Sequence, residues 1–314
     1  MSRNSTVAAI IPTLNRADHL QRAMESVVNQ TYDDIEIVVV DGGSTDRTPE
    51  VITEFQETFS EGSVTYVRNE EPQGLPAARN QGAEATNTDY IAFLDDDDLW
   101  YSPKIERQIE RLNPSSGEGM CFTGIVSKSP DGEYVHTRKP DPESGRYSRL
   151  LVRNYIGTPS TVMVTRDAFE TIGGFDEDLR YQEDWDFYIR MAREFDIACV
   201  SKPLVTRISH ANSMSSDVKT QKAYRERILD RYADERRERD LEAEARAAHH
   251  RDTGITYCLT GDVRVGEREF RTALQHRMES RTVLLYLLSK SGKLGFSTAV
   301  NIKRKINKSM SVHD

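Results

Sequence analysis

A chain of 314 residues is long enough to bury a sizeable core and to hold one large domain with an appendage. With 30% charged and 37% hydrophobic residues, it has no apolar run near the roughly 18 residues of a bilayer span, and its first six residues lack a signal-peptide core, so a soluble, cytoplasmic protein is expected. The net charge of −9 is uneven: residues 281–308 hold seven Lys or Arg and no acid, leaving an acidic body that argues against nucleic-acid binding and a basic tail that suits an anionic surface.

The first hundred residues alternate short apolar runs with helical patterns. Strands are expected at Val7–Ile11, Ile35–Val40, Val64–Val67 and Tyr90–Leu94, and helices at Ala17–Asn29, Thr48–Glu57 and Leu75–Ala85. The run at 35–40 is β-branched and almost wholly apolar, as in a strand buried on both faces. Strands alternating with helices imply βαβ units, a mostly parallel sheet, and ligands beyond the carboxyl ends of the strands. Polar clusters fall at those ends: Pro12 to Arg16, Asp41 to Asp46, and Asp95 to Asp98.

Further along, strands at Met120–Ser127 and Thr161–Thr165 flank a stretch rich in Pro, Gly, Asp and Ser, 128–146, expected to be a loop. A helix over Glu183–Glu194 is followed by two strands, Ile197–Val200 and Leu204–Ile208. From residue 219 the composition shifts. Lys219–Arg251 is a dense charge run that reads as a solvated helix face, and 255–275 and 281–289 read as two more helices. The expected division is an α/β domain over 1–218 and a helical region with a basic amphipathic tail over 219–314. Cys121, Cys199 and Cys258 have neither metal-ligand nor disulfide spacing and read as reduced core residues.

The most informative feature is the run Asp95-Asp96-Asp97-Asp98 directly after apolar Tyr90–Leu94. Adjacent carboxylates repel one another and resist desolvation. A strand leaving a core into four of them needs a compensating cation, which hard divalent ions supply through oxygen ligands; the alternative is a solvated acidic turn. Glu183 and Asp184 open a helix, where acids favourably oppose the dipole. Arg79 lies in the first turn of another helix, placed for a salt bridge. Asp41, before Gly42 and Gly43, has the position of a turn aspartate.

Ile10 to Arg16, Val40 to Asp46, Gly74 to Gly82 and Leu94 to Trp100 occur in that order, followed by Gly173-Gly174-Phe175-Asp176 and Gln182-Glu183-Asp184-Trp185-Asp186. Together, over roughly residues 5–215, they closely resemble family 2 glycosyltransferases, the inverting, nucleotide-sugar-dependent enzymes of the GT-A fold. The resemblance implies a mostly parallel, mixed sheet flanked by helices. It implies a nucleotide-diphosphate sugar donor, a UDP-sugar in first place, a glycan or lipid-linked glycan acceptor, and Mg²⁺ or Mn²⁺. It sets Pro12, Thr13, Asn15, Asp41, Arg79, Asp95 and Asp96 against the donor, with Asp41 accepting from a nucleobase N–H and Arg79 offsetting phosphate charge. Asp97 becomes the first choice of metal ligand, joined by Asp95 and His210. Asp184 becomes the general base and Glu183 a residue that orients the acceptor. Asp176 falls near the acceptor, and Ser213 and Ser215 fall in a segment that would close on the donor.

Two other readings use the same residues. A sugar nucleotidyltransferase would carry a glycine-rich, basic phosphate loop where Pro12 to Arg16 stand. A catalytically inactive scaffold would have no use for Asp41, Asp97 and Asp184. The leucines of 284–294 before Lys303-Arg304-Lys305 suit either contact with an anionic membrane through residues 281–308 or packing within the protein.

Overall fold

The computed structural model describes residues 5–59, 62–129, 132–208, 217–293 and 295–298. His210, Ser213, Ser215 and the basic cluster at 303–308 lie outside the described residues. The chain forms two compact units, one of Met1–Arg146 with Tyr155–Ser209, the other of Tyr147–Asn154 with His210–Asp314.

Among the described residues of the first unit, nine strands make one sheet. They are β1 (Val7–Thr13), β2 (Ile35–Asp41), β3 (Val64–Arg68), β4 (Tyr90–Phe93), β5 (Asp98–Trp100), β6 (Glu118–Lys128), β7 (Tyr134–Arg138), β8 (Val162–Thr165) and β9 (Asp196–Ile208). Their order is β3-β2-β1-β4-β8-β6-β9-β5, with β7 added on β6. β1 pairs parallel with β2 and with β4, and β8 turns the sheet antiparallel beyond β4. The chain runs outward from β1 to β3 and then returns to place β4 on β1's other side. Strand order therefore reverses at β1, and a crevice opens at such a switch point beyond the strands' carboxyl ends. Thr13, Asp41 and Asp95 all stand at that edge, with Thr13 paired to Asp41.

The core follows from the apolar runs. All of β1 is buried, as are Val38, Val39 and Val40 of β2 and Ile91, Ala92 and Phe93 of β4. The helices α1 (Ala17–Val28), α2 (Thr48–Thr58) and α3 (Leu75–Glu84) lie within a residue of their expected spans. Leu20, Ala23, Met24 and Val27 recur at helical spacing and give α1 its buried face. Gly82 lets α3 approach the sheet: a Cβ there would lie 2.4 Å from Ile10 Cγ2. Helices α4 (Lys104–Arg111), α6 (Arg166–Thr171) and α7 (Glu183–Glu194) complete this unit.

Several expectations change. The stretch 128–146 is not all loop: β7 pairs antiparallel with β6, and Pro142–Gly145 is a 3₁₀ turn. β7 is a half-buried strand on one partner, so its period-2 signal is weak among turn residues. The two strands expected at 197–208 are one, β9, whose pairing with β6 shifts near Pro203, where the missing N–H is tolerated. β5 has three residues and no readable pattern.

The second unit holds α5 (Tyr147–Leu150), α8 (Val218–Arg231), α9 (Ala233–Glu238), α10 (Glu242–Thr260), α11 (Val263–His276) and α12 (Ser280–Ser289). Cys258, Phe270 and Phe296 centre its core. The charge run is not merely solvated: Arg236 is fully buried on Glu242 at 2.8 Å, and buried Arg251 pairs with Glu279. All three cysteines are buried and unpaired, as expected.

The close approach at Gly82 sets the first prediction. Gly82→Ala should lower stability by about 1–3 kcal/mol despite its helix-propensity gain, because Ile10 is fully buried and cannot yield cheaply. Denaturant unfolding followed by circular dichroism measures this; a stabilised variant would contradict the packing.

Candidate active site

Backbone geometry splits the four aspartates. The Asp98 N–H donates to the Asp95 carbonyl at 3.0 Å, so Asp96 and Asp97 occupy the corner of a turn. Asp98 is buried, and Asp95 is held by protein partners on both oxygens. Asp95 Oδ1 receives Arg79 Nη2 at 2.8 Å and its Oδ2 receives Thr158 Oγ1 at 2.8 Å. Asp98 is buried facing Ser160, with Arg207 opposite it on β9. At the corner, Asp96 takes Thr13 Oγ1 at 2.8 Å and Arg16 Nη1 at 2.9 Å, and Asp97 takes the same Arg16 nitrogen at 3.1 Å.

Arg79 joins this turn to α7. Its guanidinium is 1% exposed, lies 2.8 Å from both Asp95 and Glu183, and sits 5.3 Å over the Phe175 ring. Phe175 stacks on Phe187 at 4.3 Å and meets Phe93 edge-on at 5.1 Å, so the Gly-Gly-Phe loop supplies an aromatic floor. Gly174 has φ +66°, and its position lies against Asn80, which holds the Phe175 backbone through both its amide atoms. Arg79 was expected to offset phosphate charge. In this geometry its cation is committed to two protein carboxylates, because the acids at the ends of β4 and α7 converge on it.

Electrostatics separate the carboxyls. Burial alone would raise Asp95, but the Arg79 charge and the bonds from Arg79 and Thr158 hold it below the usual range. Burial pushes Asp96 up to about 6 despite Arg16 and Thr13. Burial and the Asp95 charge push Asp98 well above its ordinary value. Burial and the adjacent Glu183 charge raise Asp184 to about 7. Glu183 and Asp184 start α7 after Gln182, which adopts the left-handed region at φ +61°.

The remaining expected residues are placed as follows. Pro12 is buried in β1 opposite Val40. Asn15 links two loops, receiving Thr45 N–H at 2.8 Å and donating its own N–H to Ser44 Oγ at 2.8 Å. Asp41 is fully buried, accepting from the Gly43 and Ser44 amides and from Tyr66 Oη at 2.8 Å, so its carboxylate shapes the turn. Among the described residues no three His, Cys, Asp or Glu side chains converge as a preformed metal cluster. Asp95, expected as a ligand, has both oxygens engaged. Arg16, Thr158 and Ser160 join the site without having been singled out; Thr158 and Ser160 lie in a stretch with no motif, and the contacts of Arg16 depend on the turn's geometry.

Removing Arg79 tests the junction. Arg79→Met should cost about 3–5 kcal/mol at neutral pH, since it strands two acids against an apolar floor. The deficit should shrink as pH falls from 7 towards 4, because the stranded acids protonate in the variant, and shrink further below about 4, where the wild type loses the stabilisation that Arg79 gives to Asp95. Denaturant unfolding at several pH values gives the answer; a pH-independent deficit would show that packing dominates.

Comparison with known proteins follows the same residues. The Glycosyl transferase family 2 model matches residues 8–173. An uncharacterized glycosyltransferase of Haemophilus influenzae is 29% identical over 223 residues, covering 69% of this chain and 74% of that one. The putative teichuronic acid biosynthesis glycosyltransferase TuaG of Bacillus subtilis is 33% identical over 165 residues, 51% of this chain and 62% of its own length. Among solved structures, the mannosyltransferase PcManGT of Pyrobaculum calidifontis, in complex with GDP-Man and Mn²⁺, superposes with a TM-score of 0.60 at 16% identity, covering 95% of this chain and 87% of that one. The fold is of the GT-A type. With the family model spanning more than half of its length, the chain belongs to glycosyltransferase family 2.

Proposed function

We propose that this glycosyltransferase moves a sugar from a nucleoside diphosphate, UDP in first place, to an acceptor hydroxyl by a single in-line displacement with inversion. The observation that carries the reading is Asp184 at the start of α7, beside Glu183 and Arg79, where burial and the Glu183 charge push its carboxyl up to about 7. A base of that strength is half ionised at neutral pH and can take a proton from an alcohol as its oxygen attacks. The acceptor oxygen bonds to the anomeric carbon, the bond from that carbon to the diphosphate oxygen breaks, and its electron pair leaves with the diphosphate. Asp184 receives the proton. Glu183, fixed by Arg79, holds the base's electrostatic setting and orients the acceptor.

The donor set of the turn suits a hard divalent cation. Asp97 is 24% exposed at the corner, and its Oδ1 accepts no hydrogen bond among the described residues. Asp97, with Asp96 beside it, would hold Mg²⁺ or Mn²⁺. Bound there, the ion would offset charge developing on the departing diphosphate. The Mn²⁺ in the PcManGT complex supports this use. Asp41 serves the nucleoside side indirectly, by fixing the Gly42–Thr45 turn.

For the acceptor, a glycan or lipid-linked glycan accords with the teichuronic acid role given to TuaG. In the second unit, Leu284 and Leu287 of α12 are 57% and 59% exposed beside exposed Arg281. With the acid-free basic sequence that follows, this face suits the surface of an anionic bilayer on which such an acceptor would sit. No helix among the described residues is long and apolar enough to cross a membrane.

Asp184→Asn should lower turnover by about 10²–10⁴-fold while leaving UDP binding intact. Wild-type kcat/KM should rise with pH to a plateau above about 7, as the base loses its proton. Glu183→Gln, which removes a neighbouring negative charge, should move that midpoint to lower pH. A midpoint unmoved by Glu183→Gln, or full activity in Asp184→Asn, would reject Asp184 as the base. For the tail, Leu284→Glu with Leu287→Glu should weaken co-sedimentation with phosphatidylglycerol vesicles; unchanged pelleting would remove α12 as the contact.

A further inference from the structure

The aspartate turn already holds a cation. Arg16 Nη1 lies 2.9 Å from Asp96 Oδ1 and 3.1 Å from Asp97 Oδ2, so one nitrogen bridges the two corner carboxylates. Thr13 engages the other Asp96 oxygen, while Arg79 and Thr158 engage Asp95. Of the six carboxylate oxygens of Asp95, Asp96 and Asp97, only Asp97 Oδ1 takes no hydrogen bond among the described residues. A divalent ion held by Asp96 and Asp97 would have to displace Arg16 from them.

The two arginines of the site differ in freedom. Arg79 is buried and anchored at both ends of its guanidinium. Arg16 is 40% exposed in its side chain and stands at the N-cap of α1 without a capping side-chain bond. Its backbone is fixed beside the end of β1, so a swing of the side chain keeps the guanidinium within the cleft.

We propose that Arg16 is a placeholder cation: it occupies the Asp96–Asp97 seat in the donor-free protein, yields it to the divalent ion, and then pairs with the donor's diphosphate. This rests on the metal and donor reading above. The chemistry favours the exchange only when both ligands arrive. An ion alone must displace a charge-assisted pair and leave a guanidinium without its acids. An ion accompanied by a diphosphate supplies the guanidinium with new anionic oxygens that its planar fork fits. Metal and donor thus bind with positive coupling, and metal loading without donor is held back.

Titration calorimetry with Mn²⁺ alone reads the first half. Arg16→Gln should bind Mn²⁺ about tenfold more tightly than wild type, a gain opposite to what loss of a purely structural salt bridge gives. Arg16→Lys retains the charge and should stay near the wild-type affinity. The second half is read with UDP, or GDP if that is what wild type binds, at saturating Mn²⁺: Arg16→Gln should bind it about tenfold more weakly. Equal or weaker Mn²⁺ affinity in Arg16→Gln overturns the placeholder. Tighter Mn²⁺ binding with unchanged nucleotide affinity overturns the transfer of Arg16 to the diphosphate. Should Mn²⁺ bind neither wild type nor either variant, the metal reading itself fails and the placeholder falls with it.

Discussion

One buried guanidinium ties the site together. Arg79 comes from the first turns of α3, Asp95 from the end of β4, and Glu183 from the start of α7, so a single side chain sets three elements against each other. Burying it is tolerable because both partners lie at 2.8 Å and an aromatic ring closes its face. Against the effect of burial, its charge holds Asp95 low; burial and then the Asp95 charge raise Asp98, and burial and then the Glu183 charge raise Asp184. The same arginine thus positions the turn and shapes the electrostatics around it.

This distribution resolves the puzzle posed by four consecutive acids. Four ionised carboxylates could not share one buried turn. The fold gives each a different surrounding: a paired Asp95, a raised Asp96, a half-open Asp97 and a strongly raised Asp98. Asp95 has both oxygens engaged by Arg79 and Thr158, whereas Asp97 keeps an oxygen that takes no hydrogen bond among the described residues, so the chemistry available to a ligand centres on Asp97 with Asp96 beside it. Raised carboxyls disfavour the ionised folded state, most at pH values above their own. The arrangement therefore costs stability in the absence of a cation, as is common where acids are gathered for function.

Much of this was legible in the chain. The β-branched run at 35–40 marked a doubly buried strand, and the order of polar clusters after β1, β2 and β4 located the crevice. Local pattern failed where burial or length hid it. β5 is too short to show a period, β7 sits among turn residues, and β9 runs through Pro203. Side-chain roles were harder than positions. Asp41 binds amides two and three residues on, which its place in a turn foreshadows, while the bond from Tyr66 on the neighbouring strand has no local signal. The contacts of Arg16 and Thr158 with the aspartates span 80 and 63 residues of sequence, and no local signal could carry them.

Two residues with unusual backbone frame the cleft. Among the described residues, Asn15, Gln182 and Asp240 are the non-glycine positions with positive φ, and two of these three directly precede Arg16 and Glu183. Left-handed backbone at such residues costs about 1 kcal/mol or more, so surrounding contacts must impose it. At Asn15 those contacts are its bonds to Ser44 and Thr45, which join the first two crossover loops. At Gln182 the helix begins abruptly and brings Glu183 straight onto Arg79. Backbone strain thus falls on residues next to those that carry the charges of the cleft. A cation and a diphosphate entering the crevice would relieve the repulsion without requiring the strained backbone to move. The scaffold can then stay rigid while Arg16, the exposed arginine at the turn, changes partners.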